Sequence, residues 1–155
     1  MRHAKSSWKS GAPTDHGRPL NKRGRRAAPK VGAELAARGW VPQIVLSSDS
    51  TRTRETFARM KKRLGFKGDF ELVPNLYHGG IVEVREAMLT LSDDVKTALL
   101  LGHNPGWEHV VEHLCGQTVV MKTGCAALLR SKGTWSELVE KKTWTLQDVI
   151  YPRNL

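Results

Sequence analysis

Cysteine is nearly absent from this chain: only Cys115 and Cys125 occur, with nine residues between them. That spacing contains no CxxC pair, which argues against a disulfide-stapled scaffold and a zinc ribbon; two reduced, buried thiols in the cytoplasm or another reducing intracellular compartment are expected. No apolar run approaches the roughly 20 residues needed to cross a bilayer, so no membrane partner is expected. Aromatic residues make up only 6% of the chain and do not alternate with the basic clusters, which disfavours a base-stacking surface for nucleic acid. The six histidines show no HExxH or comparable ligand spacing, so neither a metal nor any other cofactor is expected. Acidic residues are also scarce: 15 against 25 lysines and arginines, a formal net charge of +10. The charge suits an anionic partner, such as a phosphate ester, a phosphoprotein or an acidic protein face; a merely solvated basic surface is the plain alternative.

What is present fits one ordinary domain spanning residues 1–155, with 39% hydrophobic content to build a core. Helix and strand patterns alternate. Residues 21–38 show helical spacing with Pro29 as a flaw, so that helix is expected to begin near the proline or to kink there. Residues 43–47 read as a buried strand, 50–64 as a helix closed by Gly65, and 70–73 as a short strand. A helix follows over 81–91, a second buried strand over 96–101, and a helix over 105–114. Strands over 125–129 and 143–150 close the chain. This alternation predicts an α/β sandwich with a mainly parallel sheet, whose ligands collect beyond the carboxyl ends of the strands.

Two such ends carry chemically suitable residues. Ser48-Asp49-Ser50-Thr51-Arg52 follows the first strand, and Gly102-His103-Asn104-Pro105-Gly106 follows the second. Arg52 and Arg54 fall in the first turn of a helix capped by Asp49 or Ser50, where a cation opposes the helix dipole. A bound anion would relieve that conflict, and the arginine fork suits phosphate. Arg54 is assigned to solvent or to a pair with Glu55, and Arg52 to the site. Asn104 is expected to cap the next helix with Pro105 in its first position. Met1-Arg2-His3-Ala4-Lys5 opens the chain and Asp15-His16-Gly17-Arg18-Pro19-Leu20 is a satellite. The first fourteen residues, with three basic and no acidic side chains, could pass for a transit peptide but hold part of this constellation. Two guanidiniums and two imidazoles (Arg2, Arg52, His3 and His103) suit gripping a phosphoryl group and accepting it on nitrogen.

Taken in order along essentially the whole chain, these pieces resemble the histidine phosphatase superfamily, the phosphoglycerate-mutase-like group named for its Arg-His-Gly motif. Arg2 to Trp8, Arg18 to Gly24, Ser47 to Thr56, Leu76-Tyr77-His78 and Gly102 to Gly106 resemble its small SixA-like branch in particular. The resemblance implies a three-layer α/β sandwich and a metal-independent phosphatase. His3 would be the phosphorylated residue, and Arg2, Arg52, His103 and Asn104 would hold the substrate. It further implies phosphohistidine-containing protein, or a small phosphorylated molecule, as substrate.

Three departures stand out. Ala4 replaces the usual Gly. The carboxylate that many relatives use as proton donor has no clear counterpart: Glu83 lies in the right region, and Asp15, His16 and His78 are other candidates. The apolar strand that relatives carry before Arg-His is cut to Met1, so the first strand is expected to be truncated and neighbouring backbone groups unpaired. A non-catalytic phosphate-binding or phosphoprotein-binding module, with turnover impaired by that truncation, is therefore the alternative. A weaker third reading is a nucleic-acid binder, resting on Lys22-Arg23-Gly24-Arg25-Arg26 and Lys61-Lys62-Arg63. Oligomeric state is left open.

Overall fold

A computed structural model describes residues 1–155. The first helix, α1 (Lys22–Ala37), is capped by Asn21, whose Oδ1 accepts the Gly24 N–H at 2.9 Å. It runs through Pro29 instead of beginning there. Packing overrides the local penalty: Ala28, Val31 and Leu35 are buried against the second helix, α2 (Thr51–Leu64). Gly32 permits that approach, since a Cβ there would lie 2.7 Å from the Met60 carbonyl oxygen.

Between the two helices runs β1 (Ile44–Ser47), which pairs in parallel with β2 (Asp69–Leu72) and β3 (Ala98–Leu101). The order β2-β1-β3 makes the expected parallel sheet. Alternate residues feed opposite cores: Val45 and Leu101 pack with α1 and α2, whereas Leu46 packs with α3 (Ile81–Leu89) and α4 (Gly106–Cys115). Helices thus cover both faces, giving the three layers. The end of the chain is an antiparallel pair, β4 (Ala126–Arg130) and β5 (Thr145–Ile150), with a register irregularity between Leu128 and Leu129. Cys115 and Cys125 are both free thiols, the first half-buried and the second buried. No helix is long and apolar enough to cross a membrane.

The short N-terminal segment lies between the two sheets and is bonded on both sides. Arg2 bridges Gly102 in parallel fashion, His3 N–H donates to Gly102 O at 3.0 Å, and Gly102 N–H donates to Met1 O at 3.1 Å. On the other side Arg2 N–H donates to Cys125 O at 2.9 Å and Gly124 N–H to His3 O at 2.8 Å. The strand is reduced to an isolated bridge, but its Arg2–His3 end is bonded to backbone on both sides. Beyond Met1, β3 and β4 flank an apolar cavity of about 130 Å³ lined by residues such as Leu99, Trp107 and Leu128.

The amino end of α1 sits directly on the backbone after His3. A Cβ on Gly24 would lie 2.1 Å from the Lys5 carbonyl oxygen, so no side chain fits without backbone movement. Gly24→Ala is expected to lower stability by about 1–3 kcal/mol despite alanine's better helix propensity. Urea unfolding measures it, and an increase in stability would contradict the close approach.

Candidate active site

The parallel register explains why two distant loops meet. Ser47 of β1 lies beside Leu101 of β3, and Ser48 N–H donates to Leu101 O at 2.9 Å. The next residues out of each strand therefore face one another, with His103 Nε2 2.8 Å from Ser48 Oγ and 3.4 Å from Ser50 Oγ. Pairing of Arg2 with Gly102 sets His3 beside His103, ring centroids 5.1 Å apart and tilted by 48°. Both rings are buried, as is Arg52 in the first turn of α2. Of the two proposed caps for that helix it is Ser50 that serves, its Oγ accepting the Thr53 N–H. Arg54 is exposed, in line with its assignment to solvent, while Glu55 Oε2 accepts the Leu20 N–H at 2.7 Å.

His3 has a fixed tautomer. Its Nδ1 lies 2.7 Å from the Ala4 carbonyl oxygen, which can only accept, so Nδ1 carries the proton and the Nε2 lone pair is free. The backbone here is pinned by Ala4 N–H donating to Thr56 Oγ1 at 3.0 Å. For His103, Ser48 Oγ accepts the Ser50 N–H and can turn its hydroxyl hydrogen to Nε2, an arrangement that leaves the ring proton on Nδ1. Burial pushes both rings down, His3 to about 4 and His103 to about 3. Nearby arginine charge, and for His103 the His3 ring, act in the same direction. Both imidazoles are therefore neutral at pH 7.

Five buried side-chain polar atoms lack a hydrogen-bond partner, and four belong to residues that the sequence assigned to the site: Arg2 Nε, Arg52 Nε, His103 Nδ1 and Asn104 Oδ1. The fifth, His113 Nε2, belongs to α4. Three of the four are donors that a tetrahedral oxyanion would satisfy. Unpaired buried donors are costly, and an oxyanion placed among these three would offset that cost. Arg2 Nη1 is anchored by donating to Met121 O at 2.8 Å. Asn104 does not cap α4, whose cap position is Pro105; its Nδ2 donates instead to Glu108 Oε1 and Met121 O.

Asp15 covers the outer side of Arg52. Arg52 Nη1 donates to Asp15 O at 2.7 Å and Nη2 to Asp15 Oδ2 at 3.0 Å. The same carboxylate accepts from Tyr77 Oη at 2.5 Å and from Arg18 Nε at 2.8 Å. The Tyr77 hydroxyl, with Arg18 and Arg52, holds it well below the usual carboxylate range. The sequence offers Asp15 only as a spare proton donor and gives Tyr77 no role of its own. No short-range pattern marks these partners, which lie 37 and 62 positions from Asp15. Tyr77 also stacks edge-on against His103 at 5.3 Å and His16 at 4.8 Å. His16 Nε2 lies 2.8 Å from Asp49 Oδ1, and His78 is exposed. Glu83, the leading candidate for proton donor, caps its own helix instead: Oε2 accepts the Gly80 N–H at 2.7 Å, holding the carboxyl below its ordinary range.

In the unfolded chain both histidines titrate near 6.5, so between that pH and about 4 the unfolded state binds more protons than the folded one. Stability present above pH 6.5 is therefore lost as pH falls toward 4, by on the order of 3 kcal/mol for each ring. The urea midpoint should drop over that window, and drop less in His103→Gln. Identical slopes in the two proteins would refute neutral burial of the ring.

The model of the histidine phosphatase superfamily (branch 1) matches residues 1–80. An uncharacterised chloroplast protein of Arabidopsis thaliana is 37% identical, the alignment covering 98% of this chain and 76% of that protein. An uncharacterised protein of Mycobacterium leprae is 32% identical over 89% of this chain and 91% of its own length. Among solved structures, a candidate phosphohistidine phosphatase SixA from Nakamurella multipartitia superposes with a TM-score of 0.85 at 28% identity, covering 98% of this chain and 93% of that one. The protein histidine phosphatase SixA complexed with tungstate gives 0.85 at 22% identity, with 99% and 96% covered, a likeness of fold.

Proposed function

Because the chain belongs to the histidine phosphatase superfamily and is a phosphatase of that group, we propose that it hydrolyses phosphohistidine on protein substrates, with small phosphorylated molecules as lesser substrates, through a phosphorylated His3 and without a metal. The observation that carries this reading is the cluster of unpartnered buried donors on Arg2, Arg52 and His103 around a neutral His3.

In the first step the His3 Nε2 lone pair attacks phosphorus, the P–Nε2 bond forms, and the bond to the leaving nitrogen breaks. Ala4 O fixes the ring orientation through Nδ1–H. Arg2, Arg52 and His103 Nδ1–H hold the non-bridging oxygens as charge spreads over them. Water then attacks the phosphohistidine, releasing phosphate and regenerating neutral His3.

The state of the two candidate carboxylates supports this substrate class. Asp15 and Glu83 are both held below the usual range, so both stay ionised at neutral pH and neither suits a general acid. An alkoxide leaving group needs such a proton; a protonated phosphoimidazole does not. Nakamurella's protein, candidate SixA by name, supports the same class. The alternative of a binding module without turnover rested on a poorly held catalytic loop, and the backbone bonds on both sides of Arg2 and His3 count against it.

Phosphate release from a phosphohistidine protein in metal-chelating buffer should be lost by at least 1,000-fold in His3→Ala, with an acid-labile phosphoryl label on His3 trapped at short times. Undiminished turnover in that variant would sink the mechanism. Asp15→Asn, which removes the carboxylate charge facing Arg52, should tighten vanadate binding several-fold. Weaker binding would make Asp15 a structural support for Arg52 rather than a competitor for it.

A further inference from the structure

A second, larger concavity of about 840 Å³ opens beside the phosphate pocket. Eight of the twelve residues lining it are lysine or arginine, and no Asp or Glu is among them. One wall is α1, which presents Lys22, Arg23, Arg26 and Lys30. The floor carries Arg2 and Lys5, and the far wall Lys122 and Arg153. None of these eight makes an ion pair with an acidic side chain, although Arg18, Arg38, Arg52 and Arg85 elsewhere all do. Lys30 Nζ is the only one of the lysines with a hydrogen bond, to the Leu155 main-chain oxygen. Glu108, whose charge is felt by Arg2, is already engaged by Asn104 Nδ2 and the Met121 N–H.

Such a collection is held together against its own repulsion. Lys22 and Arg23 also stand in the first turn of α1, which contains no acidic residue, so they oppose the helix dipole. Gly24 forces this cationic helix end onto Lys5, two residues beyond His3, by removing the only side chain that would keep them apart. The fold thus spends stability to bring these charges to the edge of the active site.

We propose that this groove binds a short linear chain of phosphate groups, an oligophosphate, with one end at Arg2. Four of the eight cations are arginines, whose forks take two phosphate oxygens at once. A protein partner would need apolar anchors at the centre of the contact, and among the lining residues only Ala27, Tyr151 and Pro152 offer apolar surface outside the cationic side chains. A nucleic acid would need stacking platforms, and the groove's one aromatic ring, Tyr151, is approached by Arg153 at 5.7 Å. Because Arg2 belongs to both the groove and the phosphate pocket, an oligophosphate in the groove competes with a phosphoryl group at His3.

The test uses sodium tripolyphosphate with the full chain. Calorimetry should show binding that weakens with salt. Arg23→Gln/Arg26→Gln/Arg153→Gln, substitutions outside the phosphate pocket, should weaken it at least tenfold while leaving hydrolysis of a simple aryl phosphate within twofold. Competitive inhibition of that hydrolysis by tripolyphosphate should weaken in parallel. His3→Ala should retain tripolyphosphate binding, so a failure of the catalytic reading is distinguishable from a failure of this one. Unchanged affinity in the triple variant overturns the proposal. So does equal or tighter binding of hexaglutamate or of a short oligothymidylate, which would make the groove a docking face for protein or nucleic acid.

Discussion

Everything in the site depends on three residues of backbone. Met1 to His3 bridge Gly102 on one side and Gly124 and Cys125 on the other, and so tie the parallel sheet to the antiparallel pair. The same bonds set the chemistry. His3 and His103 come from segments about a hundred residues apart, yet each is one residue beyond the Arg2–Gly102 bridge, so their rings must share a crevice. Gly102 is itself constrained: a Cβ would lie 2.2 Å from the Trp107 ring, which closes the floor from the other face of the sheet. A side chain at that position would displace the Trp107 ring and the start of α4 that carries it.

Much of this was legible because the periodicities are local. Apolar runs at 43–47 and 96–101 identify β1 and β3, and parallel neighbours end on the same side. Arg52 in a helix's first turn was readable as a conflict with the dipole, and it is buried in the structure. The errors share a cause, the victory of long-range contacts over local preference. Pro29 lies inside α1 because Ala28, Val31 and Leu35 have a neighbouring helix to pack on. Asn104 leaves the cap position because Glu108 and Met121 offer its side chain better partners. Asp15 finds Arg52 and Tyr77 across two loops whose relative placement no spacing rule predicts.

The site's electrostatics reflect two opposing demands. An empty pocket full of cations would repel itself and depress its own histidines, which is what burial and the arginines do to His3 and His103. For the proposed nucleophile this is useful, since a neutral His3 would need no base to remove a proton before attack. Asp15 offsets part of the excess by pairing with Arg52 at the mouth, and Arg18 and Tyr77 hold its carboxylate in that position. In the proposed reaction a phosphoryl dianion would meet a partly neutralised entrance and a strongly cationic interior. Exchange of one carboxylate for a phosphoryl group on Arg52 then changes the local charge less than filling a bare pocket would.

His103 has the opposite assignment from His3 although its titration is shifted in the same direction. Its Nε2 is turned toward serine hydroxyls and its Nδ1 is buried without a partner, so it can donate to an oxyanion even when neutral. The arrival of two negative charges within hydrogen-bonding distance favours the protonated ring and opposes the effect of burial. His3 gains nothing comparable, because its Nδ1 proton is committed to Ala4 O and, in the proposed mechanism, its other nitrogen bonds phosphorus. Two buried imidazoles, 5.1 Å apart, thus differ in what each ring's second nitrogen touches, and the proposed division into nucleophile and electrophile rests on that difference.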